Sequence, residues 1–129
     1  MKVLVVEDRK AIREMLAMVF AEAGHTAVLA SDGKEAWELL SKDSQFDRII
    51  SDNDMPEMGG LELLRRVRAD SQTASIPFIL MSGVDVVSDK DPTPLEVVCA
   101  RFGFTSFIVK PFSSDAITTM TRERSAGSN

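Results

Sequence analysis

Acidic, hydroxyl and basic side chains follow directly after the apolar runs of this sequence. Glu7 and Asp8 follow the first run, Asp52 follows a second, and Ser82 and Lys110 follow two later ones. Three carboxylates in one partly buried site repel one another, and a hard cation such as Mg2+, or Mn2+, relieves that repulsion. A hydroxyl and an ammonium suit the oxygens of a phosphoryl group. The set is therefore typical of chemistry that moves phosphate onto a carboxylate.

These five side chains would meet if the apolar runs were parallel strands of one sheet. The sequence predicts strands at residues 2–6, 26–30, 48–51, 76–81 and 106–109. Between and after them, apolar residues recur at helical spacing, which predicts helical segments at residues 12–23, 32–40, 60–69, 93–102 and 113–120. This alternation predicts an α/β fold, with a doubly wound parallel sheet covered by helices on both faces. Ligands of such folds bind beyond the carboxyl ends of the strands, where the five side chains stand.

Local signals mark where individual helices start. Asp32 with Glu35 predicts a capping box at the start of the second helix. Thr93, Pro94 and Glu96 together give the residue types preferred at the first positions of a helix, which predicts the start of the fourth.

Composition limits the classes of protein to which the chain can belong. Its 129 residues suit one domain, predicted here as residues 1–122 with a flexible tail at 123–129. No apolar run approaches the ~20 residues of a membrane helix, so membrane insertion is not expected. The net charge of −5 and the lack of a basic cluster argue against direct nucleic-acid binding. The single cysteine, Cys99, excludes an internal disulfide and fits a cytoplasmic location.

Four segments carry a resemblance to a known family. The segments "VLVVED", "IISDNDMPEMGGLELL", "ILMSG" and "FIVKPF" resemble a response-regulator receiver domain of two-component signalling, of the kind found in chemotaxis regulators. The resemblance covers residues 2–120. It implies a flavodoxin-like fold with the strand order 2-1-3-4-5.

The resemblance also implies roles for the acidic residues. Asp52, followed after two residues by Met-Pro, matches the aspartate that accepts the phosphoryl group. Asp8 matches a direct ligand of Mg2+, and Glu7 matches a residue that acts mainly through metal-bound water. Asp54 matches the position whose backbone carbonyl binds the metal.

The same resemblance implies how the signal is received and passed on. A sensor histidine kinase or a phosphotransfer protein would supply phosphohistidine, and Ser82 and Lys110 would bind the phosphoryl oxygens. Phe107 matches an aromatic switch position that responds to movement of Ser82. The remodelled face of the fourth helix, fifth strand and fifth helix would then bind a downstream protein. The domain would catalyse only its own phosphorylation and dephosphorylation.

Two other functions are compatible with parts of the sequence. The motif "DND" also resembles the DxD nucleophile of haloacid-dehalogenase-like phosphatases, although there the motif ends the first strand. A pseudo-receiver that binds partners without phosphorylation is the second alternative. The segment 83–94 is longer than is usual in receivers, so it is either an inert insertion or part of the partner surface. His25, the only histidine, is expected to pack or lie at the surface.

Overall fold

The structure is a computed structural model, and it describes residues 1–52, 55, 57–82 and 106–109. The predicted helices at residues 93–102 and 113–120 lie outside these ranges, as does the segment 83–94. The described elements are β1 (Lys2–Val6), α1 (Lys10–Glu22), β2 (Thr26–Ala30), α2 (Gly33–Lys42), β3 (Arg48–Asp52), α3 (Gly60–Ala69), β4 (Phe78–Ser82) and β5 (Ser106–Val109).

The five strands form one parallel sheet in the order β2-β1-β3-β4-β5. This order confirms the predicted flavodoxin-like topology. The chain leaves β1 toward β2 on one side and later returns to place β3 on the other side of β1. The direction of winding therefore reverses between β1 and β3, and the carboxyl ends of these two strands flank the crevice in which such folds bind ligands.

Alternate strand residues point to opposite faces of the sheet, and helices pack on both faces. Leu4, Val6 and Ile49 lie in a core with residues of α2 and α3. Val3 and Ile50 lie in a second core that includes residues of α1. Strands buried on both faces are apolar at nearly every position, which explains the continuous runs seen in the sequence.

The fourth strand begins later than the sequence predicted. Residues 76–81 were expected, whereas β4 is Phe78–Ser82. The amide of Ile76 donates to the carbonyl of Thr73 at 3.0 Å, so it belongs to the preceding turn. Pro77 has no amide hydrogen and joins the ladder only through its carbonyl, which accepts from Ile49 at 2.9 Å. The ladder can form fully only after the proline.

The start of α2 confirms the predicted cap with one difference. The amide of Glu35 donates to Asp32 Oδ1 at 2.8 Å, as in a capping box. The Glu35 carboxylate, however, accepts from the amide of Ser31 at 3.3 Å and from its hydroxyl at 3.1 Å. The cap thus fixes the residues that enter α2 as well as its first turn. Among the described helices, none is long and apolar enough to cross a membrane.

Candidate functional site

The carboxyl edge of the sheet brings together three of the predicted acidic side chains. Carboxylate oxygens of Glu7, Asp8 and Asp52 all lie within 4.8 Å of one another. Glu7 is 0% exposed and Asp52 is 5% exposed, whereas Asp8 faces solvent. Two carboxyl groups are therefore buried next to each other, and the third is exposed.

The strand register explains why these residues meet. Val6 of β1 lies beside Ser51 of β3, so the next positions along the two parallel strands are Glu7 and Asp52. Asp52 in turn lies beside Met81 of β4, which places the backbone of Ser82 one position further along the same edge. The end of each apolar run in the sequence is thus the end of a strand at this edge.

Glu7 is held through its backbone and its side chain. Its amide donates to the carbonyl of Ala30 at 3.1 Å, which ties it to the end of β2. Its carbonyl accepts from Arg13 Nη1 at 2.9 Å, and its Oε1 accepts from the amide of Arg9 at 3.2 Å. The turn from β1 into α1 is therefore built around this buried carboxylate.

Asp52 ends a strand in which every residue is buried. Its neighbour Ser51 is 0% exposed, and the Ser51 hydroxyl donates to the Asp52 carbonyl at 2.8 Å. This hydrogen bond satisfies a buried hydroxyl and at the same time restrains the peptide that follows Asp52. The position of the carboxylate is thus set by the sheet.

The loop after β3 is packed tightly against the start of α2. The Gly33 amide donates to the Met58 carbonyl at 3.0 Å. A Cβ at Gly33 would lie 2.5 Å from that carbonyl oxygen, closer than any side chain tolerates. Glu57, just before it, has φ 67°, a left-handed conformation that non-glycine residues seldom adopt. The backbone at Glu57 and Met58, before α3, is therefore constrained.

The donor set fits a hard divalent cation. Mg2+ prefers oxygen ligands, is usually held by one or two carboxylates and keeps several waters. Three carboxylates with one exposed member offer such ligands and leave room for water. Their mutual repulsion in a partly buried site would also be relieved by a bound cation.

Other predicted site residues lie at the limit of the described structure or beyond it. Asp54 and Lys110 are outside the described residues. Ser82 and Phe107 are described only as members of β4 and β5, where Phe107 pairs with Leu80. The backbone of Ser82 is at the expected edge, and the roles of all four remain predictions.

Two residues of the site were missed in the sequence. Arg13 gives no local signal, because its partner is a backbone carbonyl that the turn after β1 brings within reach. Gly33 follows Asp32 as expected of a helix start, yet its real constraint is Met58, which only the folded chain places against it. Neither contact could be read from spacing alone.

Comparison with known proteins assigns the chain to a family. The model of the response regulator receiver domain matches residues 3–122. A CheY homologue, a chemotaxis protein of Campylobacter jejuni, is 36% identical over 119 residues, covering 91% of this chain and 86% of that protein.

Solved structures give the same assignment. The chemotaxis protein CheY4 of Vibrio cholerae superposes with a TM-score of 0.80 at 32% identity, covering 95% of this chain and 96% of that one. The signal receiver domain of a histidine kinase from Syntrophus aciditrophicus gives a TM-score of 0.82 at 30% identity, covering 98% and 90%.

Proposed function

Since the chain belongs to the family of response-regulator receiver domains, we propose that Asp52 accepts a phosphoryl group from phosphohistidine and so switches the domain. The single observation that carries the proposal is the meeting of Asp52 with Glu7 and Asp8 at the carboxyl ends of β1 and β3. A buried carboxylate beside two others is a nucleophile placed where a cation and a phosphoryl group can both be bound.

The proposed transfer is a direct displacement at phosphorus. An oxygen of Asp52 attacks the phosphorus, the bond to the histidine nitrogen breaks, and that nitrogen keeps the electron pair. Mg2+, or Mn2+, would be held by Asp8 and Asp52, with Glu7 acting through bound water, and it would supply positive charge for the phosphoryl oxygens. The chain contributes a fixed nucleophile, because β3 and the Ser51 hydroxyl hold the Asp52 backbone in place.

The remaining steps are proposed from the family resemblance. Lys110 and Ser82 bind the phosphoryl oxygens, the Asp54 carbonyl completes the metal site, and Phe107 turns inward as Ser82 moves. The phosphoryl group biases an existing equilibrium between two conformations of the face built from the fourth helix, fifth strand and fifth helix. The output is then a binding event.

Partners and location follow from this chemistry. The phosphoryl donor is a sensor histidine kinase or a phosphotransfer protein, and the receptor of the signal is another protein. We predict a cytoplasmic location, which the single cysteine supports. The division into a receiver at 1–122 and a tail at 123–129 is likewise our prediction.

The phosphatase alternative receives no support from the family match, which covers residues 3–122 with a receiver model. A phosphatase releases phosphate from a separate substrate through many turnovers. A receiver instead carries the phosphoryl group itself and loses it to water.

Incubation of the whole chain with acetyl phosphate tests the proposal. With Mg2+ present, intact mass spectrometry is expected to show addition of one phosphoryl group, and with EDTA the addition should be lost. Steady turnover of a phosphate monoester would favour a phosphatase. A chain that binds Mg2+ yet never gains the phosphoryl group would be a pseudo-receiver, and either result would overturn the proposal.

A further inference from the structure

Arg13 connects the first turns of α1 to the residue that begins the acidic site. Its amide donates to the carbonyl of Arg9 at 2.9 Å, so it belongs to the start of the helix. Its side chain reaches back, and Nη1 donates to the carbonyl of Glu7 at 2.9 Å. Helical side chains tilt toward the amino end of their helix, which makes this reach natural.

The accepting carbonyl belongs to the peptide that joins Glu7 to Asp8. That peptide is planar, so fixing its oxygen fixes the direction in which the chain continues to the Cα of Asp8. Within the described ranges, no donor makes a hydrogen bond to the exposed carboxylate of Asp8. Among the described residues, what places that carboxylate beside Glu7 and Asp52 is therefore the backbone that carries it.

We propose that Arg13 is a positioning residue for the cation site, acting through its hydrogen bond to the Glu7 carbonyl. The inference rests on the proposed function, in which Asp8 and Asp52 hold Mg2+. Arg13 itself would touch neither the cation nor the phosphoryl group. It holds the turn that presents Asp8.

The charge of Arg13 and its hydrogen bond have opposite effects on metal binding, which makes the proposal testable. A cation near the site repels Mg2+, so loss of the charge alone would tighten binding. Loss of the hydrogen bond would weaken binding, because the Asp8 ligand would no longer be held in place. The sign of the change thus tells which effect dominates.

The variants are Arg13→Met, which removes charge and donor at similar length, and Arg13→Lys, which keeps both. Lys10→Met is the matched control, because Lys10 is an exposed cation in the same part of α1 whose ionic partner is Glu14 at 3.9 Å. Arg13→Ala gives a second truncation should the methionine variant fold poorly. Mg2+ affinity is measured by calorimetric titration, and urea unfolding in EDTA shows that each variant is folded.

Arg13→Met and Arg13→Ala are expected to weaken Mg2+ binding by about 10-fold or more, the usual effect of removing a group that orients a metal ligand. Arg13→Lys should stay within about 3-fold of the original affinity, because its ammonium can still donate to the carbonyl. Lys10→Met should leave binding unchanged or tighter.

Equal or tighter binding by Arg13→Met would overturn the inference, as would an Arg13→Lys variant as weak as Arg13→Met. In either case the unsubstituted chain still binds Mg2+, so the proposed function stands. Absence of Mg2+ binding by the unsubstituted chain would instead overturn both.

Discussion

The two edges of the sheet arrange their charges in opposite ways. At the carboxyl edge, Glu7, Asp8 and Asp52 place like charges within 4.8 Å of one another. At the amino edge, the ammonium of Lys2 pairs with the Asp43 carboxylate, and the Lys2 amide donates to Asp47 at 2.7 Å. One edge therefore places three acids beside one another, whereas at the other edge Asp43 and Asp47 each pair with Lys2.

The amino edge is built for stability. The Lys2 ammonium also lies 4.5 Å from the centre of the Phe46 ring, and hydrogen bonds from Lys2 and the Gln45 amide hold the pKa of Asp43 below its usual range. Exposed pairs of this kind contribute little each, yet none of them opposes folding. Clustered carboxylates do oppose folding, because their repulsion is largest in the compact state.

This difference supports the proposal that the carboxyl edge is the functional one. A fold retains a destabilising arrangement where chemistry requires it, and charged side chains with a strong mutual influence gather at such sites. Substitutions at one edge can therefore be compared with matched substitutions at the other.

The largest expected effect is the loss of phosphorylation in Asp52→Asn. An amide is not a nucleophile at phosphorus, so this variant should gain no phosphoryl group from acetyl phosphate and Mg2+, as measured by intact mass. Asp43→Asn makes the same chemical change at the amino edge and should be phosphorylated normally. Equal loss in both variants would contradict the assignment of function to one edge.

Substitution of Gly33 should disturb the site through packing. The Cβ of Gly33→Ala would meet the Met58 carbonyl, and relief of such overlap typically costs about 1–3 kcal/mol. Because Met58 lies in the loop that follows Asp52, phosphorylation should also slow, as measured by the rate of gain in mass.

Gly24→Ala is the control for this packing effect. Gly24 has φ +85° but no atom within 4 Å of an added Cβ, so its cost of about 1–2 kcal/mol comes from the backbone alone. It should lower the free energy of unfolding without slowing phosphorylation. Similar slowing in both variants would mean that general destabilisation is responsible.

Removal of one clustered charge should stabilise the chain in the absence of metal. Asp8→Asn is expected to raise the free energy of unfolding in EDTA by roughly 0.5–1 kcal/mol, a figure that allows for solvent screening of the exposed carboxylate. The stabilisation gained on adding Mg2+ should shrink. Asp43→Asn should instead lower stability slightly, since it weakens an attractive pair. Urea unfolding with and without Mg2+ measures all three quantities.

The smallest expected effect is a pH dependence at the amino edge. Burial lowers the pKa of His25 from its ordinary value of 6.5, the terminal amine at 3.0 Å from Nδ1 lowers it further, and Asp47 acts in the opposite direction. The half-buried ring also contacts Phe20, with 6.3 Å between ring centres. His25 was expected to pack or to lie at the surface, and its partly exposed ring packs against Phe20.

A lowered pKa means that the unfolded chain binds the proton more readily. The stability from neutral His25 is fully present above pH 6.5 and is lost as the pH falls through 6.5 toward the folded value. His25→Gln should therefore lose less stability than the unsubstituted chain between pH ~7.5 and ~5.5, by urea unfolding. A larger loss in the variant would show that the sign is wrong.

The sequence predicted the cluster of three carboxylates, because the ends of the strands determine where these residues lie. An apolar run that stops at an acid predicts a strand that ends at the carboxyl edge. Asp52 ends β3, and Glu7 and Asp8 follow directly after β1. Only the family resemblance distinguished Asp52 from the other two as the phosphoryl acceptor, because the spacing places all three carboxylates at the same edge.

What the sequence did not show depends on contacts that form only in the folded chain. The clash that forbids a side chain at Gly33 involves Met58, and the donor that holds the Glu7 carbonyl is Arg13. The predicted start of the fourth strand was too early, because the prediction rested on apolar character alone. That pattern does not reveal the hydrogen bonding of Ile76 and Pro77.

The most direct test of phosphorylation at Asp52 is to locate the phosphoryl group among the three clustered carboxylates. After reaction with acetyl phosphate and Mg2+, reduction with borohydride converts an aspartyl phosphate to homoserine, and tandem mass spectrometry of peptides finds that residue. Phosphorylation of Asp52 would give homoserine at position 52 and unmodified acids at positions 7 and 8. Homoserine at position 8 or at position 54, with Asp52 unchanged, would contradict it.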